Sequence, residues 1–171
     1  MPTTIQTQRL RLRELEPERD APAMLTLLND PGFIAGIGDR GIRSVEQARD
    51  YLRNWHGAQY VARGFGHYAV ERIDDGAFIG TAGLIQRADL DMPDIGYALS
   101  SRYHGHGYAI EAARAVLAHA RDALGLRALC AIVSPGNAAS VRLLEKLGLR
   151  RTGDYTIAAE RAPLAYYEIR F

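Results

Sequence analysis

The stretch that decides the fold is Arg102-Tyr103-His104-Gly105-His106-Gly107-Tyr108-Ala109. It separates residues 94–99, an apolar segment predicted as a strand, from residues 108–124, whose apolar stripe predicts a helix. Gly105 and Gly107 leave several backbone N–H groups uncovered at the point where the helix dipole begins. Such a loop suits a phosphate or a pyrophosphate.

The helix leads into a second predicted strand, the unbroken apolar run Ala128 to Val133, which is typical of burial on both faces. A strand–helix–strand crossover makes these two strands parallel neighbours. The N-terminal part is predicted as a strand over Ile5–Leu15, a helix capped by Asp20 and ended by Asn29–Gly32, and a loop over 33–43. A helix from Ser44, with Gln47 completing a capping box, and a hairpin of 67–73 and 78–85 follow. The C-terminal part is predicted as a short helix capped by Asn137 and strands over Leu149–Ala158 and Leu164–Phe171. The sequence therefore predicts an α/β (α+β) fold with one mixed, mostly antiparallel sheet, a central parallel pair and helices on both faces.

Composition narrows the classes of function. The chain has 171 residues, which suits a single domain over 1–171, and 47% of them are apolar, which supports a packed core. A formal net charge of +1 argues against nucleic-acid binding through phosphate contacts. We find no run long enough to span a membrane and no signal-peptide pattern. The one cysteine, Cys130, is expected to be a buried filler without a disulfide, which fits a cytoplasmic protein.

Three kinds of glycine loop compete as the interpretation of this stretch. A dinucleotide fingerprint needs a third small residue, and Ile110 stands in that place. A P-loop needs Gly-Lys-Ser/Thr at the start of the helix, whereas the chain has Gly107-Tyr108-Ala109. The pattern Arg/Gln-x-x-Gly-x-Gly/Ala is satisfied by residues 102–107.

Several segments together resemble the GNAT superfamily of N-acetyltransferases, most closely the branch of the ribosomal-protein-alanine N-acetyltransferases. In chain order they are Thr7–Arg13, Asp94-Ile95-Gly96-Tyr97, Arg102–Ala109 with Glu111-Ala112-Ala113, Asn137-Ala138-Ala139-Ser140, and Leu144-Glu145-Lys146-Leu147-Gly148-Leu149. The resemblance implies transfer from acetyl-CoA to a primary amine, either a protein N-terminus or a small molecule, by direct attack in a ternary complex. It also implies that strands 94–99 and 128–133 splay apart and that pantetheine lies between them like an added strand.

The resemblance also implies which residues contact the cofactor. Backbone amides of Gly105 and Gly107 would surround the pyrophosphate, although an ordinary tight turn is the structural alternative. Asn137 would contact the pantetheine arm and cap its helix at the same time. No metal is expected, because His104 and His106 lack a third ligand. The expected cofactor contacts are Ile95, Tyr97, Ala98, Leu99, Arg102, His104, Gly105, His106, Gly107, Tyr108, Ala109, Asn137 and Ser140.

The catalytic groups are less clearly marked. Many members of the family carry a tyrosine as general acid one turn after Ser140, but this chain has Leu144 there. Ser140 is our substitute candidate for protonating the CoA thiolate, with Tyr97 behind it, although a serine in a first turn also caps a helix. Because a thiol has a pKa of about 8.5, strong acid catalysis is not required. The missing tyrosine makes a non-catalytic acyl-CoA-binding or regulatory module the alternative function.

The acceptor amine must lose a proton before attack. We favour Asp94 as the base, with a purely structural carboxylate as the alternative; the other candidates are Glu71, His67 and Glu168. A thioester held by a backbone amide near Tyr97 or Ala98 would need no covalent enzyme intermediate.

The sequence does not identify the acceptor. The acidic group of Asp89, Asp91 and Asp94 would attract a cationic amine or form a solvated turn. The family places acceptor-binding elements at Tyr51, Trp55 and the loop over 31–41. A peptide N-terminus, a polyamine, an antibiotic and an amino acid all remain possible acceptors, and both a monomer and a homodimer remain possible assemblies.

Overall fold

The computed structural model describes residues 1–156 and 162–171. The strands are β1 (Thr4–Gln6), β2 (Leu10–Glu14), β3 (His67–Arg72), β4 (Phe78–Ile85), β5 (Asp94–Leu99), β6 (Ala128–Val133), β7 (Arg150–Tyr155) and β8 (Leu164–Arg170). The helices are α1 (Pro17–Leu28), α2 (Pro31–Gly36), α3 (Val45–Tyr51), α4 (Ala58–Arg63), α5 (Tyr108–Asp122) and α6 (Ala138–Leu147), with a π-helical segment (Leu52–Gly57) joining α3 to α4 and a 3₁₀ turn (Ser101–Tyr103) after β5.

The eight strands found in the described residues form one sheet in the order β1-β2-β3-β4-β5-β6-β8-β7. All neighbouring strands are antiparallel except β5 and β6, which are parallel. β5 pairs with β4 along its whole length but with β6 only through Asp94 and Cys130. The predicted mixed sheet is therefore confirmed, and its central parallel pair splays apart beyond Asp94.

Helices cover both faces of the sheet, as predicted. Tyr68 and Val70 of β3 belong to a core that includes residues of α5 and α6, whereas Ala69 between them packs with residues of α1 and α3. Successive side chains of a strand point to opposite faces, so α5 and α6 lie on one side of the sheet and α1 and α3 on the other.

The predicted strand Ile5–Leu15 is wrong as a single element, because the chain turns within it. β1 and β2 form an antiparallel hairpin in which the Thr7 N–H donates to the Leu10 carbonyl at 2.8 Å. Glu111 of α5 holds the turn, since its carboxylate accepts hydrogen bonds from the Thr7 hydroxyl (2.6 Å) and the Arg9 N–H (2.9 Å). Nothing in the local alternation of apolar residues reveals this distant carboxylate.

The predicted cap of the first helix is also wrong. α1 begins at Pro17 with Glu16 as its N-cap, because proline suits the first helical position. Asp20 lies inside the first turn, where its carboxylate accepts from the Glu16 N–H at 2.7 Å and pairs with Arg13 at 2.8 Å. Asp20 therefore forms a buried ion pair and does not occupy the N-cap position.

Part of the predicted loop over 33–43 is helical. Asp30 caps α2 by accepting from the Gly32 N–H at 2.8 Å, and Pro31 starts the helix. The Ser44 cap is confirmed, since its hydroxyl accepts from the Gln47 N–H at 3.1 Å. The Gln47 side chain, however, accepts from the N–H of Arg43, at 2.7 Å, one residue before the predicted partner.

The closing hairpin matches the prediction where the structure describes it. β7 covers Arg150–Tyr155 and β8 covers Leu164–Arg170. The predicted end of the first of these strands, Ile157 and Ala158, lies outside the described residues. In the described ranges, no helix combines the length and apolar character needed to cross a membrane.

Candidate active site

A cleft of about 620 Å³ opens where β5 and β6 diverge. Its walls include Asp94, Ile95, Gly96, Tyr97 and Ala98 of β5, Ala131, Ile132 and Val133 of β6, and Asn137, Ser140 and Leu144 at the start of α6. Because β6 leaves most of the facing edge of β5 unpaired, the backbone groups along that edge need another hydrogen-bonding partner. Of the predicted contacts on β5, Leu99 does not line the cleft and packs into the core instead.

The glycine loop lies at the carboxyl end of β5. Gly105 and Gly107 have φ values of +79° and +78°, a left-handed conformation that glycine adopts without strain. The N–H groups of residues 105–109 donate to no other described residue, which leaves them available to an anion at the N-terminus of α5. The imidazole of His104 turns back to the strand, with Nε2 2.9 Å from the Leu99 carbonyl oxygen.

The other loop side chains are exposed or packed on neighbours. The Arg102 guanidinium carbon lies 5.1 Å from the centre of the Tyr103 ring. The His106 ring lies 5.7 Å from the ring of Tyr108, which in turn lies under Arg9 at 4.5 Å. The side chain of Tyr108 is therefore engaged with Arg9, and a cofactor contact at this position falls to its backbone.

Two anchors of the loop were missed from the sequence. Arg9 donates to the His106 carbonyl at 2.9 Å and pairs with Glu111 at 2.7 Å, so that the β1–β2 hairpin holds the loop from one side. Burial raises the pKa of Glu111, but hydrogen bonds from Thr7 and Arg9 outweigh it and the net shift is downward. Arg9 and Glu111 both lie in segments that resemble the family, but nothing in those segments shows that they contact each other.

The second anchor is Asp30, which joins α2 to the end of β5. Its carboxylate accepts from the Ser101 N–H at 2.9 Å and also from the Ser101 hydroxyl. Burial opposes ionisation of Asp30, yet its hydrogen bonds hold its pKa below the ordinary value. This link places α2 over the cleft, where a Cβ at Gly36 would lie 3.2 Å from the Asn137 side-chain nitrogen.

The structure brings Asn137, Ser140 and Tyr97 together. The Asn137 side chain caps α6 by accepting from the Ser140 N–H at 3.2 Å, as predicted. The Tyr97 hydroxyl donates across the gap to the Ser140 carbonyl at 3.2 Å. Burial raises the pKa of Tyr97 to about 12, so the phenol is neutral at physiological pH. Leu144, one turn after Ser140, is buried in the cleft wall.

Asp94 lies at the closed end of the cleft and is bound by Arg87. The Arg87 Nε lies 2.6 Å from the Asp94 carboxylate, which is 4% exposed. Burial raises the pKa of Asp94, and the Arg87 charge opposes the rise without cancelling it. The ion pair leaves this carboxylate with a structural partner already in place.

The remaining candidate bases occupy different places. Glu71 is buried outside the cleft and is bound by Arg11 and Arg13, at 2.9 Å and 2.7 Å. Glu168 of β8 also lies outside the cleft and pairs with Arg170 at 3.5 Å. Of the three alternatives to Asp94, His67 alone lines the cleft.

The side of the cleft where the acceptor is expected from the sequence is formed by α2 and the segment from α3 through the π-helical turn. Tyr51, His56 and Trp55 line it, and Trp55 is 40% exposed. Asp89 is engaged by the Tyr155 hydroxyl, and neither Asp89 nor Asp91 lines the cleft, so the acidic group does not form one surface there. Among the described residues, no cluster of three or more His, Cys, Asp or Glu could hold a metal. Cys130 is fully buried beside Pro93.

Comparison with known proteins identifies the family. The model of the acetyltransferase (GNAT) domain matches residues 9–150. The chain belongs to the GNAT acetyltransferases, as predicted from the cofactor loop and the segments around it.

Individual relatives agree with this assignment. The protein YkkB of Bacillus subtilis (strain 168) is 32% identical over 168 residues, which cover 97% of this chain and 95% of YkkB. The uncharacterized N-acetyltransferase YoaA of the same organism is 30% identical over 150 residues, covering 87% and 84% of the two chains. The solved structure of the ribosomal L7/L12 α-N-protein acetyltransferase RimL in complex with coenzyme A has a TM-score of 0.81, covers 98% of each chain and is 16% identical. At that identity the likeness to RimL shows the fold alone.

Proposed function

We propose that the protein is an acetyl-CoA-dependent N-acetyltransferase that moves an acetyl group to a primary amine by direct attack in a ternary complex. The observation that carries the proposal is the edge of β5, which is paired to β6 at one residue and open along the cleft. The anion-binding loop lies at the far end of the same strand. One extended ligand with a pyrophosphate at one end matches both features.

The cofactor would lie along β5 from the loop to the closed end of the cleft. Amides of Gly105, His106 and Gly107 would bind the pyrophosphate, with Arg102 adding positive charge. The pantetheine amides would pair with the open edge at Ile95 and Tyr97, whose backbone groups face β6, in the manner of an added strand. The Asn137 side chain would contact the arm from the start of α6.

The reaction would join the amine nitrogen to the thioester carbon and release CoA. A backbone amide near Tyr97 or Ala98 would polarise the thioester carbonyl, since N–H donors aimed at a developing oxyanion stabilise it. The Ser140 hydroxyl donates to no described residue and is our candidate to protonate the departing thiolate. Tyr97 lies behind it, with its own proton directed to the Ser140 carbonyl. Asp94 is the candidate base predicted from the sequence.

The acceptor is proposed only as a primary amine, in keeping with the N-acetyltransferase name of YoaA. The exposed Trp55, together with Tyr51 and Phe33, gives the mouth of the cleft an apolar character. A non-catalytic acyl-CoA-binding module is the second candidate, favoured by the buried Leu144 where a tyrosine acid would stand.

The test combines binding and turnover in the purified protein. Calorimetry should detect acetyl-CoA binding, and a thiol-release assay should detect turnover with a panel of N-terminal peptides, amino acids, polyamines and aminoglycosides. Absence of acetyl-CoA binding would refute both candidates. Tight binding without turnover across the panel would favour the acyl-CoA-binding module.

A further inference from the structure

His67 reaches the cleft across two glycines. It pairs with Gly83 of β4, and Gly83 pairs with Gly96 of β5, so the three residues form one row across the sheet. Directly opposed residues present their side chains on the same face. A Cβ at Gly96 would lie 3.0 Å from His67 Nε2. The imidazole therefore occupies the space above the row that a side chain at Gly96 would fill.

The backbone of His67 is anchored, and its ring has an unused nitrogen. The Tyr60 hydroxyl donates to the backbone carbonyl of His67 and fixes the start of β3. His67 Nε2 is buried and has no hydrogen-bond partner in the described part of the chain. Buried polar atoms without a partner are rare in native folds, and one that lines a cleft is available to a bound ligand.

A second buried histidine, His56, also has ring nitrogens without a hydrogen-bond partner in the described residues. It lies on the π-helical segment and is 2% exposed. Its ring centre is 5.3 Å from that of His67 and 5.4 Å from that of Tyr51. π-helical turns occur frequently at functional sites, and this one places the second imidazole against the first.

Gly96 lies just beyond Asp94, the last residue of β5 that pairs with β6. A thioester at the end of the pantetheine arm would reach this part of the gap. We propose that His67 accepts the proton of the acceptor amine during acetyl transfer, with His56 packed behind it as a positioning residue. The proposal rests on the N-acetyltransferase function proposed above.

The step balances without any further reactant. The amine nitrogen forms a bond to the acetyl carbon, the carbon–sulfur bond breaks, and the amine proton passes to the His67 lone pair. CoA leaves as a thiolate that takes the proton of the Ser140 hydroxyl. The imidazolium then returns a proton through water to Ser140, so that the products are the amide and the CoA thiol and both side chains are restored. Asp94 is less suited to this task because Arg87 already binds its carboxylate at 2.6 Å.

The surroundings keep His67 neutral before the amine arrives. Burial, the neighbouring His56 and the Arg87 charge hold the pKa of His67 well below its ordinary value. Besides these, the titratable groups lining the same cleft are Tyr51, Tyr97, Asp94 and Arg40. The lone pair is therefore present at neutral pH, and the protonated form is short-lived once the amine has reacted.

The experiment compares His67→Ala and His67→Asn with a matched histidine variant. His119 also has a buried, unpartnered Nε2, but it lines a separate surface groove beside α5 and β1, so His119→Asn is the control. Turnover of the wild-type protein with the best acceptor of the panel is measured first. For the His67 variants we expect kcat to fall about 100-fold or more, the typical contribution of a general base, with acetyl-CoA affinity unchanged. His119→Asn should keep its kcat.

Chemical rescue separates a base from a structural ring. Added imidazole should restore turnover of His67→Ala, whereas pyrazole, a much weaker base of the same shape, should not. Retained turnover in both His67 variants would overturn the proposal while leaving the acetyltransferase function intact. A loss of turnover that matches a loss of acetyl-CoA affinity, or that imidazole and pyrazole rescue equally, would also overturn it. Absence of wild-type turnover would overturn the acetyltransferase function and this proposal together.

Discussion

The two ends of the cleft are formed by different parts of the chain, backbone groups at one end and side chains at the other. The end proposed for the cofactor, called here the cofactor end, consists of exposed backbone, with Gly105 and Gly107 presenting N–H groups at the start of α5. The end proposed for the acceptor, called here the acceptor end, consists of side chains packed against one another, with His56 and His67 drawn from separate elements. The cofactor end therefore tolerates changes in side chains but not in backbone conformation, and we expect the opposite at the acceptor end.

The largest effect should come from the acceptor end, in the pH dependence of stability. Burial lowers the pKa of His56 to about 4. As the pH falls below the ordinary histidine pKa, His56 is protonated in the unfolded chain but stays neutral in the folded protein. The free energy of unfolding therefore decreases between about pH 6.5 and pH 4. The loss should approach about 3 kcal/mol and level off below the folded pKa. His56→Phe should remove this contribution, which urea unfolding across that range would measure.

The control for this comparison is again His119→Asn. Burial also lowers the pKa of His119, but this residue is only partly buried and lies away from the cleft. Carboxylates that titrate over the same range affect every variant alike, so the difference between wild type and His56→Phe isolates the imidazole. Parallel curves for these two proteins would show that His56 is not buried as a neutral ring.

At the cofactor end, Gly105→Val should weaken acetyl-CoA binding about tenfold to a hundredfold. A β-branched residue resists φ of +79°, at a cost of about 1–2 kcal/mol, and relief of that strain would turn the amides away from the ligand. Gly125→Val is the matched control, because Gly125 has φ of +65° and, like Gly105, open space around an added Cβ. Both variants should lose stability, but isothermal titration should find acetyl-CoA affinity reduced only in Gly105→Val. Equal affinities would remove the loop from the cofactor site.

The same contrast explains what could be predicted from the sequence. The glycine loop, the Asn137 cap and the parallel pair of strands are local signals, because each depends on residues within about one element of each other. Their positions were confirmed. The Arg9–Glu111 anchor joins residues that are far apart in the chain, and the His56–His67 pair joins a π-helical segment to a strand, so no spacing rule brings either pair together.

The corrections to the fold have a similar origin. Apolar and polar residues alternate over Ile5–Leu15 as a strand requires, but Glu111 of α5 accepts hydrogen bonds from Thr7 and Arg9 and stabilises a turn there. Aspartate is a residue type that often caps helices, but the Asp20 carboxylate forms an ion pair with Arg13 of β2 instead. In both cases a tertiary ion pair or hydrogen bond overrides a local pattern that was itself sound.

A smaller effect should arise at Asn137, where the two ends meet. Asn137→Ala removes the cap of α6 and should cost about 1 kcal/mol of stability. Asn137→Ser keeps a capping hydroxyl but shortens the side chain that faces Gly36 and the cleft. If the amide also contacts pantetheine, both variants should bind acetyl-CoA more weakly, while thermal unfolding should find only Asn137→Ala destabilised. Normal affinity in Asn137→Ser would leave the residue with a capping role alone.

The smallest effect should separate the two hydroxyls between the ends. Tyr97→Phe removes the hydrogen bond to the Ser140 carbonyl and should cost roughly 0.5 kcal/mol, since water in the cleft can replace a partly exposed donor. Because the pKa of Tyr97 is about 12, its loss should not alter the pH profile of turnover below that range. Ser140→Ala, which leaves the backbone contact with Tyr97 intact, should lower kcat with little change in KM if the hydroxyl protonates the thiolate. A larger fall in kcat for Tyr97→Phe than for Ser140→Ala would reverse the two roles and make the tyrosine on β5 the acid, in compensation for the leucine at position 144.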